Sequence, residues 1–169
     1  MEMLQGEIGT LRNTLEAEVI VMPEAREHYA TKEGERSLCY GSVDAAAFDL
    51  RANVSEAILI PAGLSVRVGT GLKIWIRDPN FAGNIIPRSG LGNRGIVVGN
   101  LHGLIDADYQ GELLVSVWYR SAEDFYLNPG ERFAQYYIAP VYRLVPKFVE
   151  EFSGTSDRGE SGFGASGTK

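Results

Sequence analysis

The sequence predicts an all-β domain of the sandwich or jelly-roll type, and three of its features lead to this prediction. Apolar and polar residues alternate from 64 to 77, which is the period of one half-buried strand or of two strands joined near 69–71. Short apolar runs follow, separated by turn sequences such as Asp-Pro-Asn at 78–80 and Asn-Pro-Gly at 128–130. Glycine makes up 20 of the 169 residues, against a usual share of about 7%, so many turns are expected.

Residues 1–18 follow a different pattern from the rest of the chain. Their apolar residues recur every three or four positions and so share one face of a helix, which Gly6 and Gly9 weaken. We interpret the segment as a helix-like extension that packs on the domain or frays, with a small oligomeric coil as the alternative. The apolar positions are Leu4, Ile8, Leu11 and Leu15.

Residues 19–152 carry the predicted strands. An apolar run at 19–22 is stopped by Pro23, and the polar residues at 24–41 predict a loop with one helical turn. We find no linker or internal repeat, so this part of the chain is expected to form one domain. The later apolar runs lie at 85–86, 95–98, 113–118, 125–127, 133–138 and 144–149.

Composition and charge argue against several classes of function. Sixteen Lys and Arg residues against 22 Asp and Glu residues give a net charge of −6, which argues against general affinity for nucleic acid. No run approaches the roughly 18 apolar residues of a membrane span, and we recognise no signal peptide. Cys39 is the sole cysteine, so no intrachain disulfide can form, and a cytoplasmic protein is expected.

Pro-Arg-Ser-Gly-Leu at 87–91 can form an anion-binding turn. A proline that ends a strand is followed by a small Ser-Gly pair, whose N–H groups and hydroxyl can face an anion, particularly where a helix begins. Arg88 adds a charged bidentate donor. Taken alone, the motif is more simply explained as a plain turn with a surface arginine.

A second segment whose residue types suit binding or catalysis runs from residue 99 to 111. Gly99 and Gly103 bracket a predicted hairpin with free backbone donors and acceptors at its tip. Asp106 and Asp108 then lie on one side of an extended chain, where paired carboxylates can bind a metal or act as a base. An ordinary surface turn is the alternative.

Residues 153–169 hold five glycines and four serines, and this composition alone predicts a flexible tail. The order of the residues suggests more, because Phe163 lies among glycines with Arg158 and serines around it. Glycine permits close backbone approach to a phosphate, arginine and serine bind it, and an aromatic ring can stack on a base.

Together these segments resemble the sequence motifs of the trimeric dUTP pyrophosphatases, or dUTPases. The resemblance covers residues 42–168, and Gly-Asn-Leu-His-Gly-Leu-Ile-Asp at 99–106 is most similar to the bacterial members. One motif would be weak support, whereas five in the family's order are highly specific. The five lie at 46–52, 87–91, 103–111, 130–135 and 158–167.

The resemblance implies hydrolysis of dUTP to dUMP and pyrophosphate, with Mg²⁺ bound by the triphosphate. Asp106 matches the carboxylate that orients and deprotonates the water that attacks the α-phosphorus. Asp49 matches a carboxylate that meets Mg²⁺ through water. The segment from Asn100 to Gly103 matches the hairpin that recognises uracil, and Tyr109 matches the aromatic ring under the sugar.

The resemblance also implies a lid and a trimer. Arg158, Gly164 and Ser166 would grip the terminal phosphates and Phe163 would cover uracil, so the tail is expected to be a flexible lid. The implied fold is a jelly-roll-like β-barrel in a homotrimer, where each site takes its third motif from one neighbour and its tail from another. The remaining phosphate contacts would be Arg88, Ser89, Gly90 and Gln135.

Two alternatives remain open from the sequence. A dCTP deaminase of the same fold would need a glutamate at the position where this chain has Ser116. A dUTPase-like protein could instead regulate a partner, with the N-terminal extension as its contact. The chain also has Ala47 and Ser161 where the family usually has glycine, and these side chains can crowd the first motif and stiffen the lid.

Overall fold

The computed structural model describes residues 14–32, 34–35, 37–38 and 40–162. Of the predicted N-terminal helix, the described part is not helical, because Glu18 already begins a strand and the residues just before it are irregular. The rest of that helix lies outside the described residues. The elements are β1 Glu18–Val21, a 3₁₀ helix Pro23–Tyr29, β2 Phe48–Arg51, β3 Ile58–Ile60, β4 Ser65–Trp75, β5 Phe81–Pro87, α1 Ser89–Asn93, β6 Ile96–Val98, β7 Gly103–Ile105, β8 Glu112–Tyr119, β9 Phe125–Leu127 and β10 Arg132–Pro140.

The strands form two four-stranded sheets and one two-stranded sheet, all antiparallel. The first sheet has the order β1-β4-β8-β6, the second has the order β2-β10-β5-β7, and β3 pairs with β9. In β8 the buried Leu113, Val115 and Val117 alternate with more exposed neighbours, as expected for a strand with one buried face. Buried side chains from both large sheets belong to one apolar cluster. The all-β fold is therefore as predicted.

The alternating stretch of the sequence forms a single strand, β4, with one irregularity. Its register with β8 shifts between Gly69 and Lys73, and beyond that point β4 also pairs with β1. Gly71 lies in the irregular part with a φ of 70°, a conformation that favours glycine. Its N–H donates to a carboxylate oxygen of Glu112 at 2.8 Å. The glycines thus mark a bulge in one strand and not a connection between two.

The second sheet is closely packed between its paired strands β10 and β5. Tyr136 of β10 is 1% exposed, and its phenol lies over Gly83 of β5, where a Cβ atom would overlap the ring. Burial, followed by the nearby Tyr40, raises the pKa of Tyr136 to about 12, so the phenol is neutral at physiological pH. This contact fixes the two strands that lead to the candidate site.

The strand predicted at 144–149 is not formed. β10 ends at Pro140, and the apolar run beyond it has no regular secondary structure. Phe148 is 92% exposed, and Pro146 removes one of the N–H groups that a strand ladder would use. The folded part of the domain therefore ends near Pro140, earlier than the predicted residue 152. We refer to residues 141–162 as the exposed tail.

Candidate active site

The three strands β2, β10 and β5 lie side by side and bring polar residues from distant parts of the chain together. In the register, Gln135 of β10 lies opposite Asp49 of β2. On its other edge, Ala134 of β10 lies opposite Pro87 of β5. Arg88 directly follows this proline, so it reaches the same place.

Asp49 organises these side chains. Its carboxylate accepts hydrogen bonds from Arg88 Nε at 2.8 Å, Arg132 Nη1 at 3.1 Å and Gln135 Nε2 at 3.3 Å. Asp49 is only 4% exposed, whereas the side chains of Arg88 and Arg132 are 29% and 47% exposed. We call Asp49, Arg88, Arg132 and Gln135 the arginine cluster.

The arginine cluster carries a net positive charge, because two guanidinium groups share one carboxylate. Charge-assisted hydrogen bonds to the carboxylate fix the orientation of both arginines. Arg88 Nη1 also donates to the carbonyl of Arg132 at 3.5 Å, and both guanidinium side chains remain partly exposed, so an anion can reach them. The cluster can therefore hold a phosphate group without first rearranging its side chains.

Ser89 and Gly90 follow Arg88 at the start of a short helix, which is the condition under which the sequence favours anion binding at this motif. Arg88 has an extended backbone conformation and immediately precedes α1. The first N–H groups of a helix have no partner within it, and both Ser89 and Gly90 are exposed. No atom lies within 4 Å of the position that a Cβ of Gly90 would occupy, so the approach to its backbone is open.

Residues 99–103 form a tight turn, and the predicted hairpin is wrong in one respect. The turn links β6 to β7, but β6 pairs with β8 in the first sheet and β7 pairs with β5 in the second. The two arms are therefore not hydrogen-bonded to each other as a strand pair. Gly103 is needed at the second arm, because a Cβ there would lie 2.9 Å from the Cβ of Ile85. We call this segment the 99–103 turn.

Asp106 and Tyr109 follow β7 in a second turn. Asp106 is exposed, and its carbonyl accepts the N–H of Tyr109 at 3.1 Å. The N–H of Arg77 bonds to the carbonyl of Ala107 at 3.0 Å, which holds the turn to the end of β4. The hydroxyl of Tyr109 donates to the carbonyl of Glu112 at 2.8 Å, so its ring has a fixed direction.

One chain does not bring Asp106 to the arginine cluster. Ile105 pairs with Gly83 near the start of β5, whereas Arg88 follows the end of the same strand. Six residues of extended chain separate the level of Asp106 from Arg88, a distance of about 20 Å along the strand. The two groups of predicted site residues thus lie at opposite ends of β5.

The tail residues of the predicted site are separate from both groups. Arg158 is exposed, and its Nε donates to the carbonyl of Ser161 at 2.9 Å. Phe163, Gly164 and Ser166 lie outside the described residues. Among the described residues, the Arg158 guanidinium is thus bonded within its own tail and not to the cluster.

Sequence reasoning missed Arg132. This residue lies in the fourth motif, directly after the predicted turn, but only Gln135 was chosen from that motif. The structure gives Arg132 a direct bond to Asp49. The signal available in the sequence was an arginine that opens a strand three residues before a predicted phosphate contact. In a regular strand these two side chains would point to opposite faces, and the register shift between Arg132 and Ala134 accompanies their shared contact with Asp49.

Two general features of the described residues bear on the class of protein. None of their helices is both long enough and apolar enough to cross a bilayer. They also contain no group of three or more His, Cys, Asp or Glu side chains placed to hold a metal ion.

A sequence profile of the dUTPase family matches residues 35–167. The chain belongs to the dUTPase family. The deoxyuridine 5'-triphosphate nucleotidohydrolase of Psychrobacter arcticus is 63% identical over 123 residues, which span 72% of this chain and 80% of that protein. The protein of the same name from Acinetobacter baylyi is 55% identical over 131 residues, which span 77% of this chain and 87% of that protein.

Solved dUTPase structures have the same fold. The dUTPase of Staphylococcus bacteriophage 80alpha, in complex with dUpNHpp, gives a TM-score of 0.73 at 23% identity and covers 91% of this chain and 99% of that chain. A variant dUTPase of phage phi11 of S. aureus, which coordinates a structural Mg(II) ion, gives a TM-score of 0.66 at 20% identity and covers 84% of this chain and 100% of that chain. At these identities the similarity confirms the fold.

Proposed function

We propose that this member of the dUTPase family hydrolyses dUTP to dUMP and pyrophosphate, with water activated by Asp106. The observation that carries the proposal is the pair of arginines, Arg88 and Arg132, aligned on the buried carboxylate of Asp49. A triphosphate needs fixed cations of this kind. Relatives at 55% and 63% identity are named for the same hydrolysis.

The net charge of −6 does not argue against an anionic substrate. An ion pair at about 4 Å contributes roughly 4 kcal/mol at an effective dielectric constant of about 20. Repulsion from distant surface charges is screened beyond about 8 to 10 Å at physiological ionic strength. The local attraction of the arginine cluster therefore outweighs the overall charge of the protein.

Asp106 is proposed as the general base. A carboxylate can accept a proton from water while the water oxygen bonds to the α-phosphorus and the bond to the bridging oxygen breaks. The proton passes to Asp106 and pyrophosphate leaves. Arg88, Ser89, Gly90 and Gln135 would hold the phosphates, and Arg132 joins them on the strength of its bond to Asp49. Positioning and charge stabilisation would then supply most of the acceleration.

Mg²⁺ is proposed to arrive on the triphosphate as part of the substrate. Both Asp49 oxygens already accept hydrogen bonds, Oδ1 from Arg88 and Gln135 and Oδ2 from Arg132. Each carboxylate oxygen has more than one acceptor site, so Asp49 can still bond to a water on the ion. This arrangement suits an indirect contact, and Mg²⁺ supplies neutralisation of phosphate charge.

The 99–103 turn and Tyr109 are proposed to select the nucleoside. Uracil presents acceptor, donor and acceptor along one edge, and cytosine reverses two of these groups. Fixed backbone groups between Asn100 and Gly103 would leave a buried polar group unpaired against cytosine, at a cost of about 1–3 kcal/mol. The turn would meet the methyl group of thymine, and the Tyr109 ring would meet a ribose 2′-hydroxyl.

The active enzyme is proposed to be a homotrimer with sites shared between subunits. The separation of Asp106 from Arg88 along β5 supports this, because two ends of one rigid strand cannot converge on one phosphate. The exposed tail supports it too, since Phe148 and Phe152 are 92% and 91% exposed in a single chain. Contiguous apolar surface of this kind is typical of segments that pack on another chain.

The tail is proposed to close as a lid over bound substrate. Arg158, Gly164 and Ser166 would bind the terminal phosphates, and Phe163 would stack on uracil. Glycines around the aromatic ring would let the backbone approach the phosphates. Such lids exclude water from the reaction once the substrate is bound.

Pyrophosphate release with Mg²⁺ from dUTP, dCTP, dTTP and UTP, each supplied alone, tests the proposal. Release from dUTP only would support both the reaction and the selection by the 99–103 turn and Tyr109. Ammonia release from dCTP would support a deaminase instead, although Ser116 leaves no carboxylate at that position. No reaction from a folded trimer would favour a partner-binding protein, and deletion of residues 1–18 in a pull-down would test that function.

A further inference from the structure

The 99–103 turn contains a strained residue, Leu101. Its φ is 65°, in the left-handed region that leucine rarely adopts. The N–H of His102 donates to the carbonyl of Asn100 at 2.7 Å, so the chain reverses within three residues, as in the strained form of the γ-turn. The Leu101 side chain is 75% exposed, so its burial does not offset the strain. Such a conformation persists only where surrounding contacts hold it.

A hydrogen bond between His102 and Asn84 lies next to the strained residue. His102 Nε2 is 2.6 Å from Asn84 Oδ1, and Asn84 is only 5% exposed in β5. Asn84 Nδ2 donates to the carbonyl of Ala82 at 3.1 Å, which leaves Oδ1 as the acceptor and makes His102 Nε2 the donor. Backbone pairing of β7 with β5 ends at Gly103, and Asn84 itself lies opposite Leu104, so the side-chain bond ties the turn diagonally to β5 one residue beyond the last backbone pair.

We infer that His102 and Asn84 are positioning residues that clamp the 99–103 turn onto β5 and so set the backbone groups that bind the base. The inference rests on the proposed function, in which Asn100 to Gly103 recognises uracil. A turn held in one conformation has its N–H and C=O groups in place before the base arrives, whereas a released turn must be ordered on binding. Loss of the clamp therefore weakens substrate binding and leaves the chemistry at Asp106 intact.

Steady-state kinetics of His102→Leu and Asn84→Leu in the full-length protein test the clamp. The KM for dUTP should rise about tenfold in each variant, the factor expected for one such hydrogen bond, while kcat stays within about twofold. The preference for dUTP over dTTP should fall in parallel. The double variant should be no worse than either single variant, because both substitutions remove the same bond.

Two further variants serve as controls. His102→Gln keeps a side-chain donor, so its KM should stay within about twofold of the wild-type value. Asn80→Leu makes the same substitution at an exposed asparagine just before β5, whose amide bonds to Asp78 at 2.8 Å. This matched variant should leave KM unchanged.

The clamp would be contradicted by an unchanged KM in His102→Leu and Asn84→Leu, including the case where only the melting temperature falls. If the leucine variants do not fold, His102→Ala decides, because it removes the donor at an exposed position: a raised KM supports the clamp and a wild-type KM overturns it. Asp106→Asn, assayed in parallel, separates this inference from the proposed function. Turnover retained in that variant would overturn the role of Asp106 without affecting the KM comparison.

Discussion

The two ends of β5 differ in how many side-chain bonds the predicted site residues make within one chain. At the end that leads to Arg88, four side chains from three strands form the arginine cluster around one buried carboxylate. At the other end, the carboxylate of Asp106 is exposed, and no side chain of the described residues bonds to it. The first end is thus arranged to attract an anion, whereas the second end presents an exposed carboxylate to which no arginine side chain of the described residues is bonded.

This difference shows which contacts of the candidate site form within one chain. The arginine cluster depends only on the sheet register of one chain, because Gln135 lies opposite Asp49 and Ala134 lies opposite Pro87. The turn that carries Asp106 is held by a bond from the Tyr109 N–H to the Asp106 carbonyl and by a bond from the Arg77 N–H to the Ala107 carbonyl. Each half is thus fixed within the chain, and under the proposed function one half is expected to meet the other half of a neighbouring copy.

The largest effect is expected from Asp106→Asn, which removes the proposed base but keeps its size. Turnover of dUTP should fall by about 10² to 10⁴, the usual contribution of a general base, while the trimer and dUTP binding persist. Turnover numbers and binding of a non-hydrolysable analogue would measure the two effects separately. Near-normal turnover would mean that this end of β5 is not the reactive half.

A smaller loss of activity is expected when the chain is truncated after Phe152. The deletion removes the proposed lid residues Arg158, Phe163, Gly164 and Ser166 but leaves every strand in place. Activity should fall more than folding stability does, which kcat/KM and a thermal melt would establish. Unchanged activity would contradict the proposed lid. The site would then consist only of the residues at the two ends of β5.

The smallest effect on chemistry is expected from Asp49→Ala, which acts on the arginine cluster alone. Without the carboxylate, Arg88 and Arg132 repel each other and lose their orientation, so KM for dUTP should rise more than kcat falls. Stability should drop by about 1–3 kcal/mol, less than for a fully buried pair because both arginines are partly exposed. Denaturant unfolding and kinetics would check both, and Arg51→Lys, on the same strand, serves as a control for general damage to β2.

Much of the fold follows from local patterns in the sequence. The alternation along β4 predicted a half-buried strand, and Pro23 and the turn sequences marked where other strands end. The turn at 87–91 was predicted from its proline, serine and glycine, whereas the short helix that begins at Ser89 was not predicted. Each of these predictions depends on residues within about ten positions of one another, because hydrophobic periodicity and turn sequences are local patterns.

The features that sequence reasoning missed depend on contacts between distant residues. The bond of Arg132 to Asp49 and that of His102 to Asn84 require the sheet register, which no local pattern gives. The strand predicted at 144–149 is wrong as well, because Leu144, Val145 and Phe148 are 88–92% exposed in the described chain. An apolar run by itself does not provide a neighbouring strand for it to pair with.

The shared site can be tested most directly by mixing two inactive variants. Asp106→Asn and Arg88→Ala, co-expressed with different tags and purified through both, should each be nearly inactive as homotrimers. Purification through both tags leaves only trimers that contain both variants. In each of these, one of the three sites combines an intact Asp106 from one subunit with an intact Arg88 from another, so about a third of wild-type activity should return. A mixed trimer as inactive as its two parents would contradict a site shared between subunits.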